Sequence, residues 1–387
     1  MAIGLTPHLA GVFSLVMLVA LYIARRHLPF PVAAGLVLAR IAVSVSYFAF
    51  LDDGRWALLD DQTYFAQAQE LLGRGFTPWS AVTTTEGIVL LSGLSGGIHI
   101  GYLVWNLLLM WAFGAEYYVP VAGNVLLSIL AADGVVRLAT RSGFDDRYRQ
   151  GWFVFLAMHW DFVAWSSFHN LKDMLLTYLE LLVLLRLAAF SETRTIASRA
   201  VTIGLLVVLG AALFSLRFYA PVLLAVAVLF SVVLVDEQLR RRLSIVLVLV
   251  TPALALAVQR MLPTLFEYAV PGQWLVGIAR AFLTPQPWSV APDHGFLLLP
   301  SWLHLLFLPL FALGAVRLWT DAPRVRVLLL FLLVAIAFYG LVPELQGPRQ
   351  RFQVSFVIAW GQFHGALVAL AALRLRNVPH PASLVRR

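Results

Sequence analysis

The chain is built from long apolar runs separated by short polar joints. Eleven runs can be placed, near positions 9–24, 31–51, 115–137, 151–168, 171–190, 200–216, 218–235, 243–259, 298–316, 327–343 and 353–373. Runs of about 17–25 apolar residues have the length a helix needs to cross ~30 Å of hydrocarbon. Inside lipid every backbone N–H and C=O must be bonded within the segment, which selects helices. The strict alternation of a membrane barrel is absent. The pattern predicts an all-α polytopic membrane protein, a single bundle of about 11 transmembrane helices spanning residues 1–387.

Composition strengthens this expectation. The chain is 61% hydrophobic and only 12% charged, against roughly 25% charged residues in soluble domains. With 0 cysteines, disulfides and thiolate metal sites are excluded. The first apolar run has no basic residue before it and is followed by Arg25 and Arg26, so it does not resemble a cleaved signal peptide.

The formal net charge of +8 would suit nucleic acid, but its placement points elsewhere. Most arginines fall in alternate joints: Arg25 and Arg26, the Arg137–Arg149 region, Arg186 to Arg199, Arg240 to Arg242, Arg317 to Arg326, and the tail from Arg374. The positive-inside rule makes these joints and the C-terminus cytoplasmic. The basic excess is then a topology signal, and no nucleic-acid partner is expected. The opposite side holds the two long loops, residues 52–116 and 260–297. Long loops in compact proteins are usually functional, so any chemistry is expected on that outer face.

In the first outer loop, DDQTYFAQAQELLGRG (Asp60 to Gly75) predicts a helix. Asp60 or Asp61 can cap it, Gly73 or Gly75 can end it, and Tyr64, Phe65, Ala68, Leu71 and Leu72 share an apolar face. Such a helix lies along the membrane surface and holds the two carboxylates at the lipid–water boundary. They are a cap, a weak cation site, or a general base whose basicity rises with partial desolvation. A second loop helix, GYLVWNLLLMWAFG (Gly101 to Gly114), follows the Gly-rich SGLSGG. Letting it span would move the arginines at 141–149 outside, so it is expected to lie in or re-enter the outer interface.

The order of these features resembles the GT-C glycosyltransferases, specifically the branch that uses polyprenyl-phosphate sugars. Protein O-mannosyltransferases and lipid A aminoarabinose transferases belong to it. Those enzymes carry an acidic pair in the first outer loop four residues before a Tyr or Phe, matched here by Asp60, Asp61 and Tyr64. The stretch from Leu58 to about Phe190 follows the branch's order; the rest of the chain matches by topology. SSFHNLKD (Ser166 to Asp173) supplies the acid that the branch places at the start of a spanning helix, Asp173, beside Lys172, the sole lysine. LQGPRQRFQ (Leu345 to Gln353) supplies Arg351 before an aromatic, with Arg349 adjacent. Arg217 ends another helix on the same side, and Glu86 falls near an acidic position of the branch.

The resemblance implies an inverting transferase in a bacterial inner membrane, with its site facing the periplasm. A polyprenyl-phosphate sugar donor enters from the membrane lipid. Arg217, Arg349, Arg351 and Lys172 hold its phosphate, and Asp60 takes the proton of a hydroxyl on a glycan or glycolipid acceptor. Asp61, Tyr64, Asp173 and Glu86 shape the sugar site. The pair here is Asp-Asp where relatives often have Asp-Glu, which leaves open which acid is the base. No cofactor is required, and no His or carboxylate cluster compels a divalent metal.

Three charges, Arg40, Asp161 and Glu180, fall inside predicted spans. Their cost in lipid predicts interior pairing, such as Arg40 with Glu180. A relay through them would instead favour a lipid-linked sugar transporter or flippase, though the paired broken helices of many transporters are absent. The same residues also admit a polymerase or ligase using pyrophosphate-linked donors, which would lean on the outward arginines, and a non-catalytic assembly subunit, in which the outer acids would be dispensable.

Overall fold

The computed structural model describes residues 4–56, 58–190, 195–234, 259, 263 and 267–373. Among them the regular structure is entirely helical. Nearly all of the expected run at 243–259 and the start of the second outer loop lie outside the described residues.

Seven helices are long and apolar enough to cross a membrane: α1 (Pro7–Ala24), α2 (Phe30–Ser46, running on to Leu51), α7 (Tyr118–Arg141), α11 (Ile196–Leu216), α14 (Leu298–Asp321), α15 (Arg326–Leu341) and α17 (Ser355–Ala372). Three of the remaining expected spans take other forms, each for a visible reason. The run at 151–168 is two helices, α8 (Asp146–Ala157) and α9 (Trp160–Ser167). The break falls at His159, whose side chain accepts from Asp161 N at 3.3 Å and starts α9. Helix α10 (Asp173–Phe190) carries Asp173, Glu180 and Arg186 in 18 residues, too polar for a plain lipid span. Helix α12 (Ala220–Leu234) is short, at 15 residues.

In the first outer loop the two expected helices form, and two further short helices that were not expected lie between them. Helix α3 runs Leu59–Gly73, followed by α4 (Pro78–Thr83), α5 (Thr85–Ser95) and α6 (Ile100–Phe113). Helices α5 and α6 meet at a 112° bend. With 14 residues, α6 is about 21 Å long at 1.5 Å per residue, short of the hydrocarbon width. The sharp turn uses Gly96 and Gly97, both at positive φ (58° and 73°), where a side chain would be strained. These helices share their own apolar core of Ala68, Leu71, Ala81, Leu91, Leu103, Leu107 and Met110.

The tightest seam joins α14 to α17. A Cβ on Gly314 would collide with the Gly361 carbonyl, and one on Gly365 with the Leu310 carbonyl. Small residues let membrane helices approach this closely. Helix α13 (Trp274–Leu283), from the second outer loop, docks on α15 in the same manner through Gly277 and Gly340. Trp274 Nε1 also donates to Ala337 O at 2.9 Å.

Charges gather at two opposite ends of the bundle. At one end His27 and Arg137 both reach Asp133, each at 2.7 Å. These residues come from the joints expected to be cytoplasmic. At the other end Asp60, Lys172, Asp173, Arg217 and Arg349 converge, as the sidedness of the charge pattern predicts.

The expected Arg40–Glu180 pair does not form. Fully buried Arg40 donates to Ser166, Ser167, Ser128 and Phe162 O. Glu180 accepts from Gln353 instead, which in turn accepts from Tyr339. Arg40 thus meets three hydroxyls and one carbonyl of α7 and α9, which supply its guanidinium with neutral acceptors in place of a counter-ion. Glu180 lies two turns along α10 from Asp173 and faces Gln353, in the joint between the helices Pro348–Phe352 and Ser355–Ala372.

Candidate functional site

The site begins at the first turn of α3. Successive helical residues diverge by about 100°, so the neighbouring acids face different ways. Asp60 is half exposed and its Oδ2 accepts from Arg349 Nη1. Asp61 points inward and is fully buried. Its Oδ2 accepts from Tyr117 OH at 3.0 Å, from His169 Nδ1 at 3.1 Å and from Leu58 N at 3.3 Å. Tyr64, one turn beyond Asp60, follows the i, i+4 spacing onto the cluster and accepts from Lys172 Nζ at 3.0 Å.

The opposing wall is the irregular segment between α9 and α10. Its backbone is held by Asn124 of α7, whose Nδ2 donates to His169 O at 3.2 Å and Leu171 O at 3.1 Å. Asn170 donates to Asp61 O at 3.4 Å and accepts from Tyr102 OH at 2.6 Å. Irregular buried backbone is stable where protein groups supply its hydrogen-bond partners in this way.

Asp173 opens α10 at the centre of the charge cluster. Its Oδ1 accepts from Arg217 Nη2 at 2.9 Å and its Oδ2 from Arg349 Nε at 2.8 Å. Arg349, on the short helix α16 (Pro348–Phe352), therefore bridges Asp173 and Asp60. Two carboxylates and two guanidinia alternate in a chain Asp60–Arg349–Asp173–Arg217, with Lys172 beside it. Lys172 Nζ meets only neutral partners among the described residues, Tyr64 and His99 (2.8 Å to Nε2). Among the described residues Arg217 Nη1 is buried without a partner. The cluster therefore has an unused cationic donor in a wall of low dielectric, the surroundings in which an anion is held most strongly.

Local electrostatics sets the state of the acid. Burial raises the Asp60 pKa, but the hydrogen bond and charge of Arg349, helped by Lys172, outweigh it and hold the carboxyl below its ordinary value. Burial and the Lys172 charge push His99 down to about 4, so its ring is neutral at pH 7.

The structure thus brings together Asp60, Tyr64, Lys172, Asp173, Arg217 and Arg349, with Asp61 directly behind them. Two expected residues are elsewhere. Arg351 is buried two residues along from Arg349 and faces the other way. Its Nη1 donates to the carbonyls of Phe282 (2.8 Å), Thr284 (2.6 Å) and Ala281 (3.3 Å), and so caps the C-terminus of α13. Residues two apart on a helix do not share a face, so only one of the two arginines can reach the acids. Glu86 is exposed in the first turn of α5, where its carboxylate favours the helix dipole, and it makes no ion pair with the cluster. Sequence reasoning missed His99, Tyr117, His169 and Asn170. His169 and Asn170 sit inside the quoted SSFHNLKD motif; His99 and Tyr117 carried no local signal, because only the folded loop brings them to α3.

No group of three or more His, Asp or Glu side chains placed to hold a metal ion occurs among the described residues. Comparison with known protein families, with curated proteins and with solved structures finds no match to this chain.

Proposed function

We propose that the protein is an inverting GT-C-type glycosyltransferase of a bacterial inner membrane, transferring a sugar from a polyprenyl-phosphate donor to a hydroxyl of a glycan or glycolipid on the periplasmic face. The observation that carries this reading is the half-exposed carboxylate of Asp60 held by Arg349 at the mouth of a buried chain of alternating acids and arginines, with one arginine nitrogen unpaired among the described residues, at the end of an apolar helical bundle. A lipid phosphodiester brings one negative charge and an apolar chain, and the cluster with its surrounding bundle suits both.

The geometry suggests how binding and chemistry are coupled. In the unliganded site Arg349 depresses the basicity of Asp60. A donor phosphate competes for Arg349 and for the unused Nη1 of Arg217, and the arginine shifts from carboxylate to phosphate. Asp60 is then released as a stronger base. The acceptor oxygen attacks the anomeric carbon, the bond from that carbon to the phosphate oxygen breaks, and Asp60 takes the hydroxyl proton. The departing polyprenyl phosphate keeps the electron pair, and Arg217, Arg349 and Lys172 stabilise its charge. Asp173 orients both arginines throughout.

The test is purified protein in lipid with radiolabelled polyprenyl-phosphate sugars and a bacterial envelope extract, comparing wild type with Asp60→Asn. Label reaching an acceptor with wild type, and reduced by roughly 10²–10⁴-fold in Asp60→Asn, is the expected result. Equal transfer by both proteins would sink the assignment of Asp60. No transfer from any monophosphate donor would turn attention to pyrophosphate-linked donors or to transport, the latter read as substrate movement across sealed vesicles.

A further inference from the structure

The segment joining α9 to α10 carries a side chain that the transfer chemistry above leaves unused. His169 is 1% exposed, and its Nδ1 faces Asp61 Oδ2 at 3.1 Å. The same oxygen accepts from Leu58 N and Tyr117 OH, so it serves as an acceptor and Nδ1 carries the proton. Burial holds the ring's pKa below its ordinary value even though Asp61 opposes this, so the imidazole is neutral and Nε2 keeps its lone pair. Among the described residues that nitrogen is buried with no partner, and so is Asp61 Oδ1. Buried polar atoms are seldom left unpaired without a reason. Both unpaired atoms are acceptors, and they belong to one hydrogen-bonded pair.

The unmet groups therefore sort by type. Among the described residues, the unpaired atom of the Asp60–Arg349–Asp173–Arg217 chain that can donate is Arg217 Nη1, and the unpaired atoms of the His169–Asp61 pair are acceptors. Phosphate oxygens and ring ethers have no hydrogen to give the acceptor side, whereas hydroxyls do. The surrounding wall is aromatic: the Phe296 ring lies 4.2 Å from His169, and Trp165 meets Phe296 edge-on at 5.3 Å. Such a wall suits the C–H face of a sugar. Resting on the transfer reading, we propose that the His169–Asp61 pair is a sugar-hydroxyl subsite, in which one ring hydroxyl of the transferred sugar donates to His169 Nε2 and Asp61 acts as the positioning residue that fixes the tautomer. A donor lacking that hydroxyl leaves Nε2 buried and unpaired, which makes the pair a specificity device.

The experiment uses the full-length protein in lipid with donors whose ring hydroxyls are deleted one at a time. Wild type is expected to lose roughly 10–100-fold in kcat/KM at one ring position, the usual cost of stranding a buried acceptor. His169→Phe keeps the ring and the aromatic wall but has no acceptor. It should lose a similar factor on the intact donor and show no further loss with the deleted one. His169→Gln, which restores an acceptor near Nε2, should recover part of the discrimination and covers the case in which the Phe variant misfolds. Full discrimination retained by both variants would overturn the proposal. The nitrogen-15 spectrum of histidine-labelled protein gives a readout independent of transfer: the His169 Nε2 resonance should move when alkyl glycosides are added and stay fixed with inorganic phosphate. If wild type transfers from no donor, the transferase reading fails by itself. The hydroxyl subsite then stands on a glycoside-dependent Nε2 shift and falls without one.

Discussion

Asp173→Asn is the sharpest test of the charge cluster. Asp173 is 1% exposed and bonds two guanidinia, Arg217 at 2.9 Å and Arg349 at 2.8 Å. An asparagine offers one oxygen, so its amide must face one of the two guanidinia with a donor. Breaking a buried ion pair by removing one partner costs ~3–5 kcal/mol, because it strands the other charge. Arg349 keeps Asp60 and is 19% exposed on its side chain, so the lower end applies, about 3 kcal/mol. That corresponds to roughly a 150-fold change in the unfolding equilibrium, at a factor of 10 per 1.36 kcal/mol. Reversible unfolding in mixed micelles, followed by the fluorescence of the chain's 12 tryptophans, measures it. The double variant Asp173→Asn with Arg217→Gln removes the stranded cation and should be less destabilised than the sum of the singles by about 1–2 kcal/mol. A loss below ~1 kcal/mol in the single variant, or strict additivity in the double, would refute the view that Asp173 neutralises both arginines in a dry site.

Four further outcomes follow from other contacts. Replacing Gly314 or Gly365 with Ala drives a Cβ into backbone carbonyls across the α14–α17 seam and should cost ~1–3 kcal/mol as overpacking. Gly204→Ala meets nothing within 4 Å and should be neutral or slightly stabilising in the same unfolding assay. Arg351→Gln should speed amide hydrogen exchange across residues 274–284, because three carbonyls at the end of α13 lose a cationic donor; unchanged exchange would remove its capping role. The Asp60–Arg349 contact predicts a pH dependence with a definite sign. Its stabilisation is complete above the unfolded carboxylate value of ~3.9 and is lost as pH falls through the lower folded value. Arg349→Gln removes the group that depresses Asp60, so the acid limb of the transfer rate should move to higher pH; a limb that stays put would separate Asp60 from the rate.

Much of the architecture was legible in sequence because it follows from local and bulk physics. Apolar run length gave α1, α2, α7, α11, α14, α15 and α17, since a helix in lipid satisfies its own backbone whatever its neighbours. Amphipathic spacing and end signals gave α3 to within two residues at each end. Arginine placement separated the Asp133 end of the bundle from the Asp60 end. Where charge enters a run, length stops deciding: α10 carries Asp173, Glu180 and Arg186, and α8 and α9 split at His159, because their polar groups face protein partners that sequence does not display.

What only the tertiary structure decided is which side chains meet. Asp60 and Asp61 are equivalent in sequence, yet their 100° separation on α3 sends one to Arg349 and the other to His169 and Tyr117. Arg349 and Arg351 are equally plausible phosphate ligands by position, but the turn of α16 turns one toward Asp173 and the other toward the end of α13. Arg40 and Glu180 were an obvious pair by charge and depth; Arg40 faces α9 and Glu180 faces Gln353 in the joint between α16 and α17, and each meets neutral partners. Helical rotation and interhelical packing settle such choices, and neither is written in a hydropathy pattern, because one rotated turn leaves composition, spacing and charge count unchanged.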